Sequence, residues 1–224
     1  MLVGVVSDIH ANRIALTAVL DDMPDTDAVV CAGDVVGYNP WPVECVEEIR
    51  DRDVPTVMGN HDRAVVTETG FTGNRMASAG ARYAMETLDS DHFEWLRGLP
   101  DSQYALDGRI RLVHGHPDDP DRYTYPSQFS PDLLGEEDAL VMGHTHVQAH
   151  ERYDDGIVLN PGSVGQPRDG DPRAAYALVD LDSMTVSERR VEYDIEAVTE
   201  AVEAAGLPEG TGARLRKGRG RGPC

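Results

Sequence analysis

Three apolar runs near the start of the chain, and the segments that separate them, constrain the fold more than any other feature. "MLVGVVSD" (1–8), "DAVVCAGD" (27–34) and "VPTVMGN" (54–60) are short apolar stretches ending in polar residues, the pattern of buried strands. Between them lies "ANRIALTAVLDD" (11–22), which gathers Ile14, Leu16, Val19 and Leu20 on one helical face. "WPVECVEEIRD" (41–51) is a second helix, with Pro42 tolerated in its first turn. A β-α-β-α-β order predicts parallel strands joined by helical crossovers.

The pattern changes later. "NRMASAGARYAMETL" and "SDHFEWLRGL" make residues 74–99 helix-rich, with Ser90 or Asp91 as the cap of the second helix. "SQYALDGRIRLVHG" is a hairpin signal around Asp107 and Gly108. Short strands and tight turns continue through "ALVMGH", "VQAHERYDDGIVLN" and "RAAYALVDLDSMTVSERRVEY", and a helix over about 194–205 closes the fold. Parallel α/β first and mostly antiparallel strands afterwards predict one α/β domain over residues 1–207. Its architecture is a two-layered sheet flanked by helices, without internal repeat. Residues 208–224 read as a basic, flexible tail: "TGARLRKGRGRGPC" holds five basic residues and no acidic one. Such a tail can meet nucleic acid, the protein's own acidic surface, or only solvent.

The polar residues at the end of each apolar run carry the chemistry. The first strand ends in "SDIH", with Asp8 and His10; the second in "GDVVG", with Asp34; the third in "GNHD", with Asn60, His61 and Asp62. Later runs end in "VHGH", with His114 and His116, and in "GHTH", with His144 and His146. Ligands of open α/β sheets bind at the carboxyl ends of strands. One such cluster is ordinary; five in order are hard to explain by packing. Residues two apart, as in Asp8/His10 and His144/His146, point the same way on an extended chain. Carboxylates, imidazoles and one amide, without thiolate, suit divalent Mn, Fe, Co, Ni or Zn, and they are too many for one ion.

Composition narrows the setting. Forty acidic residues against twenty basic ones give a formal net charge of −20, and Lys217 is the only lysine. This balance resembles proteins of extreme halophiles, where salt screens the self-repulsion of an acidic surface. An acidic protein from a GC-rich genome has the same arginine bias. A body this acidic repels nucleic acid unless metal ions or a local patch reverse the sign. Cys31, Cys45 and Cys224 form no CxxC pair, no run approaches the roughly 18 to 20 apolar residues of a membrane span, and the N-terminus has no leader-like pattern. The expectation is a cytoplasmic protein without a membrane partner.

The ordered set "SDIH", "GDVVG", "GNHD", "VHGH", "GHTH" resembles the calcineurin-like metallophosphoesterases over about residues 1–193. Finer features, "GDVVGYNPWP", "VHGHPDDPDRY" and "NPGSVGQPRDGDPRAAYALVD", resemble the small prokaryotic branch of predicted phosphodiesterases and diadenosine-tetraphosphatase-like proteins. The resemblance implies two packed mixed β-sheets flanked by helices, with the helical segment 74–99 beside the site. It also implies a dinuclear centre. Asp8, His10, Asp34 and His146 would hold one ion; Asp34 would bridge to a second, completed by Asn60, His114 and His144. His61 matches the catalytic histidine, with Asp62 placed to orient it. His116 departs from the pattern, which has a smaller residue there.

The expected reaction is hydrolysis of a phosphodiester with two divalent ions, manganese first. A hydroxide bridging the ions attacks phosphorus and His61 serves as acid. Arg168 and His116 are candidate substrate contacts, Arg168 competing with a salt bridge to Asp169 or Asp171. Tyr123 and Tyr125 are candidates for the substrate wall. His92, His150, Trp41 and Trp95 read as surface or packing residues. Two other functions compete: a non-catalytic interaction scaffold on the same fold, and a nuclease aided by the basic tail. Substrate identity and oligomeric state are not fixed by the residues.

Overall fold

The computed structural model describes residues 1–219. In chain order its elements are β1 (Leu2–Val6), α1 (Arg13–Asp22), β2 (Ala28–Cys31), α2 (Pro42–Asp51), α3 (Asn60–Val66), α4 (Arg75–Thr87), α5 (Ser90–Arg97), β3 (Ser102–Ala105) and β4 (Ile110–Val113). The second half adds β5 (Ala139–Val141), β6 (Ala149–Tyr153), β7 (Gly156–Asn160), β8 (Ala174–Asp180), β9 (Thr185–Val191), α6 (Ile195–Ala204) and α7 (Gly210–Leu215).

Alternation along β1 creates the layers. Val3 and Val5 point to one side and join a core with Ile110, Leu112, Val141 and Leu159 of a second sheet. Val6 belongs to the opposite core, with Leu16 and Val19 of α1, Val46 and Ile49 of α2, and Leu96 of α5. The result is two mixed sheets flanked by helices: four strands in the order β2-β1-β8-β9, and five in the order β3-β4-β5-β7-β6. β1 runs parallel to β2, with Val3 opposite Ala28, and antiparallel to β8, with Val3 opposite Val179. Among the described residues no helix is long and apolar enough to cross a membrane.

Three local expectations are corrected. Residues 54–60 form no strand, only one parallel bridge between Thr56 and Cys31. Pro55 has no N–H for a ladder, and at Asn60 the chain has already entered α3. In the second half the pairings are mostly antiparallel, as expected (β3 with β4, β6 with β7, β8 with β9), while the buried β5 pairs in parallel with β4 and β7. The cap of α5 is Asp89, whose carboxylate accepts from the N–H groups of Asp91 and His92. Within the stretch read as a flexible tail, α7 packs on α6, its Leu215 joining Val198, Val202 and the preceding Leu207 in one buried cluster. Arg216 of this segment pairs with Glu196. Residues 220–224 lie outside the described residues.

Candidate metal centre

The clusters at the element ends sit on an unusual backbone. Asp8, His10, Asp34, His144 and His146 all have left-handed φ, between 50° and 67°. Each such residue costs roughly 1–3 kcal/mol, a strain that persists only where surroundings impose it. Here the imposition is visible. Asp8 N–H donates to Gly33 O (2.9 Å) and His10 N–H to Asp34 O (2.9 Å). His144 N–H donates to Asp8 Oδ2 at 3.0 Å. The side chains at residues 8/10 and 144/146 therefore converge through tight turns, not along an extended chain.

Asp34 lies at the centre of two donor sets. On one side Asp8, His10, Asp34 and His146, all buried, bring ligand atoms within 4.8 Å of one another. Asp8 Oδ1 is 3.1 Å from His146 Nε2, and His10 Nε2 is 3.7 Å from Asp34 Oδ2. On the other side Asp34 Oδ2 is 3.4 Å from His114 Nε2. That nitrogen is 3.2 Å from Asn60 Oδ1 and 3.1 Å from His144 Nδ1. All seven predicted metal ligands are thus brought together.

The outward nitrogens of the four rings face backbone carbonyls. His10 Nδ1 is 3.2 Å from Val36 O, His114 Nδ1 2.8 Å from Ala32 O, and His146 Nδ1 2.6 Å from Gln166 O. His144 Nε2 is 3.1 Å from Asp121 O. On the neutral rings, His10, His144 and His146, donating those N–H groups outward leaves the inward nitrogens with lone pairs. Two of them, on His10 and His146, then face each other at 3.1 Å, and Asp8 Oδ1 is buried without a hydrogen bond. Such an arrangement needs cations between the donors, so the residues fit divalent ions.

Burial governs the protonation of this group. It pushes His10 and His146 down, and it takes His144 to about 3, helped by the charge of His114. His114 is the exception: burial opposes its charged form, but Asp34, through charge and hydrogen bond, holds it up at about 10. Asp8 and Asp34 lie below the usual carboxylate range, His146 and His114 respectively outweighing the cost of burial.

A cavity of about 630 Å³ opens above the centre, lined in part by Tyr38, His61, Phe71, Tyr123 and Arg168. His61 is the second residue of α3; its N–H donates to Asp34 Oδ1 at 2.7 Å, and its Nδ1 is buried without a hydrogen-bond partner. Its ring lies between Tyr38 and Phe71, with centroids 4.6 Å and 4.3 Å away. Burial, with the charge of Arg168, pushes His61 down to about 4. Gly37 has φ +95°, and a Cβ there would stand 2.4 Å from His61 Nδ1.

The remaining predicted residues divide. Arg168 lines the cavity, its Nη2 donating to Gln166 and its Nε buried without a partner. The competing salt bridge is not formed: Asp169 pairs with Arg190 and Asp171 with Arg173. Tyr123 stacks on His144 at 4.0 Å and lines the cavity; Tyr125 stacks outside it on Tyr123. His116 does not line the cavity, and its Nδ1 accepts from Asp118 N–H within its own loop. Asp62 does not bond the ring of His61. Its carboxylate accepts from the N–H groups of Asp34 (2.8 Å), Gly59 (3.0 Å) and Val36 (3.1 Å), fastening the Asp34 loop to α3. His92 packs against Asp89, His150 pairs with Glu188, and both tryptophans pack beside apolar clusters.

Sequence reasoning missed the residues that hold the donor loops. Asn160, at the end of β7, donates to Gly143 O (2.6 Å) and Thr145 Oγ1 (3.0 Å). Ser163 Oγ donates to Asp8 O at 2.7 Å. Both lie in "NPGSVGQPRDG", a stretch rich in loop-forming residues whose order alone names no partner.

Comparison with known proteins agrees with this geometry. An uncharacterised protein of Methanocaldococcus jannaschii is 32% identical over 97% of this chain and 98% of its own length. The phosphodiesterase YfcE of Escherichia coli is 28% identical over 80% of this chain and 88% of its own. The crystal structure of a metallophosphoesterase from Sphaerobacter thermophilus superposes with a TM-score of 0.87 at 34% identity, covering 97% of this chain and 99% of that one. The model of the calcineurin-like phosphoesterase superfamily domain matches residues 1–184, and the chain belongs to that family.

Proposed function

We propose that this chain is a phosphodiesterase that works with two divalent ions. The observation that carries the reading is Asp34 Oδ2, shared between His10 Nε2 at 3.7 Å and His114 Nε2 at 3.4 Å. One carboxylate placed between two N/O donor sets suits a pair of ions better than one. Asp8, His10, Asp34 and His146 would hold the first, and Asp34, Asn60, His114 and His144 the second. The set suits manganese, and equally accommodates Fe, Co, Ni or Zn. When bound, the ions supply Lewis acidity toward the phosphoryl oxygens and lower the pKa of water near them.

The chain's own residues do the rest. Arg168 offers a guanidinium edge to the non-bridging oxygens, a fork that matches phosphate. His61 faces the same cavity and passes a proton to the leaving oxygen. Burial keeps its ring neutral in the free chain. An anionic ester against it raises its proton affinity, so the acid is charged only with substrate in place. The diester preference is supported by the named activity of the Escherichia coli relative. With every donor position filled, the scaffold reading has no observation in its favour, and the structured α7 removes much of the free tail a nuclease would use.

In molar salt with added Mn, the purified protein should hydrolyse bis-p-nitrophenyl phosphate. On a diester with a more basic leaving oxygen, such as methyl phenyl phosphate, His61→Ala should lose about 100-fold or more in kcat, and Asp34→Asn should lose turnover together with metal. Absence of metal-dependent turnover across a phosphoester panel with Mn, Fe, Ni, Co and Zn in turn refutes the reading.

A further inference from the structure

We propose that the C-terminal segment 210–218 belongs to the active site, with Arg214 acting through Tyr38 as a positioning residue for His61. The segment lies beyond residues 1–184 that the family model matches, yet it reaches Tyr38, a residue that lines the cavity. The guanidinium carbon of Arg214 lies over the ring of Tyr38, 5.5 Å from its centroid, a cation–π distance. Tyr38 is buried and carries a left-handed φ of 60°. Its ring leans on His61 at 4.6 Å and meets His10 edge-on at 4.8 Å.

Arg214 is one of several groups around the cage of His61. Phe71 closes the other flank of the ring and Gly37 stands at Nδ1. Tyr38 itself is fixed from two further sides. Asn74 Nδ2 donates to its hydroxyl at 3.3 Å, and a Cβ on Gly80 of α4 would come 2.1 Å from its backbone nitrogen. Arg214 supplies the remaining support, and the segment is anchored where it does so. Leu215 is buried against α6, and Gly218 O accepts from Gly170 N–H at 2.7 Å, two residues beyond Arg168. One short stretch thereby braces the aromatic neighbour of His61 and the loop of Arg168.

The proposal rests on the reading of His61 as proton donor, and its test separates the two. A series of methyl aryl phosphodiesters with increasingly basic leaving oxygens is assayed with the Mn-loaded, full-length protein. Nitrophenolate leaves almost without a proton; phenolate needs one. Arg214→Ala should lower kcat roughly three- to tenfold for the phenyl ester. It should leave the nitrophenyl ester and both KM values within twofold, and Arg214→Lys should recover most of the loss. An equal loss on both esters, or none, overturns the proposal.

A second measurement does not depend on turnover. In the metal-free protein with 13C-labelled histidine, the signals of the His61 ring, assigned with His61→Ala, should shift or broaden in Arg214→Ala. Unchanged signals overturn the proposal. If the wild type hydrolyses no ester of the series, the functional reading fails, and the ring signals alone decide whether Arg214 positions His61.

Discussion

His114 is the ring at this centre that burial does not neutralise. Asp34 holds its pKa at about 10, so the metal-free chain carries a proton on it at neutral pH. An ion that takes Nε2 must expel that proton, and its apparent affinity therefore rises with pH until about 10. Calorimetric titration with Mn at pH 7.5, in two buffers of different ionisation heat, should report about one proton released from this ring. His114→Gln should abolish that share; no release from the wild type contradicts the assignment. The residues proposed to hold ions were legible in the chain because side chains able to ligate are chemically distinct and stand at the ends of apolar runs. Asp62 was not. Its place beside His61 suggested a partner for the ring, whereas its carboxylate reads three backbone N–H groups, and backbone donors leave no trace in residue type.

At the scale of elements, α1, α2, α4, α5, α6 and most strands followed from periodicity, since helix and strand place apolar residues at different spacings. The turns did not. Nothing in "SDIH" or "GHTH" announces left-handed backbone at four of its residues, because that conformation is imposed by hydrogen bonds from distant loops. Parallel pairing around β5 was equally hidden, as three buried residues fit either direction. α7 escaped notice because its two glycines and one arginine outnumber its one buried leucine. The clamp at the end of β7 allows a direct check. Asn160→Ala removes two donors that hold the loop of His144 and His146. It should cost about 1–3 kcal/mol of stability in urea. It should also weaken Mn binding about 10- to 100-fold, as loss of outer-shell support does. Unchanged metal affinity with lowered stability would make Asn160 purely structural.

The whole molecule carries a formal charge of −20, and its lone lysine leaves arginine to make its ion pairs. Many of these, such as Arg63 with Asp101 and Arg109 with Asp138, are partly exposed and add little when screened. Self-repulsion is the larger effect, and salt weakens it. The midpoint of thermal unfolding of the metal-free protein should rise by several degrees between 0.1 and 2 M KCl, about 1 kcal/mol or more. A flat or falling profile by circular dichroism would remove the case for a salt-adapted surface.

The donors come from both layers of the sandwich. Asp8, His10 and Asp34 succeed strands of the four-stranded sheet, and His114, His144 and His146 succeed strands of the other. Neither sheet owns a complete set. A bound ion is then a rivet through two plates: sliding one past the other breaks the site, and an intact site forbids the slide. Loading at a hundredfold excess over Kd would add about 2.7 kcal/mol to the native state. It would do so at the seam, where, among the described residues, no strand ladder joins the two sheets and fixes their register.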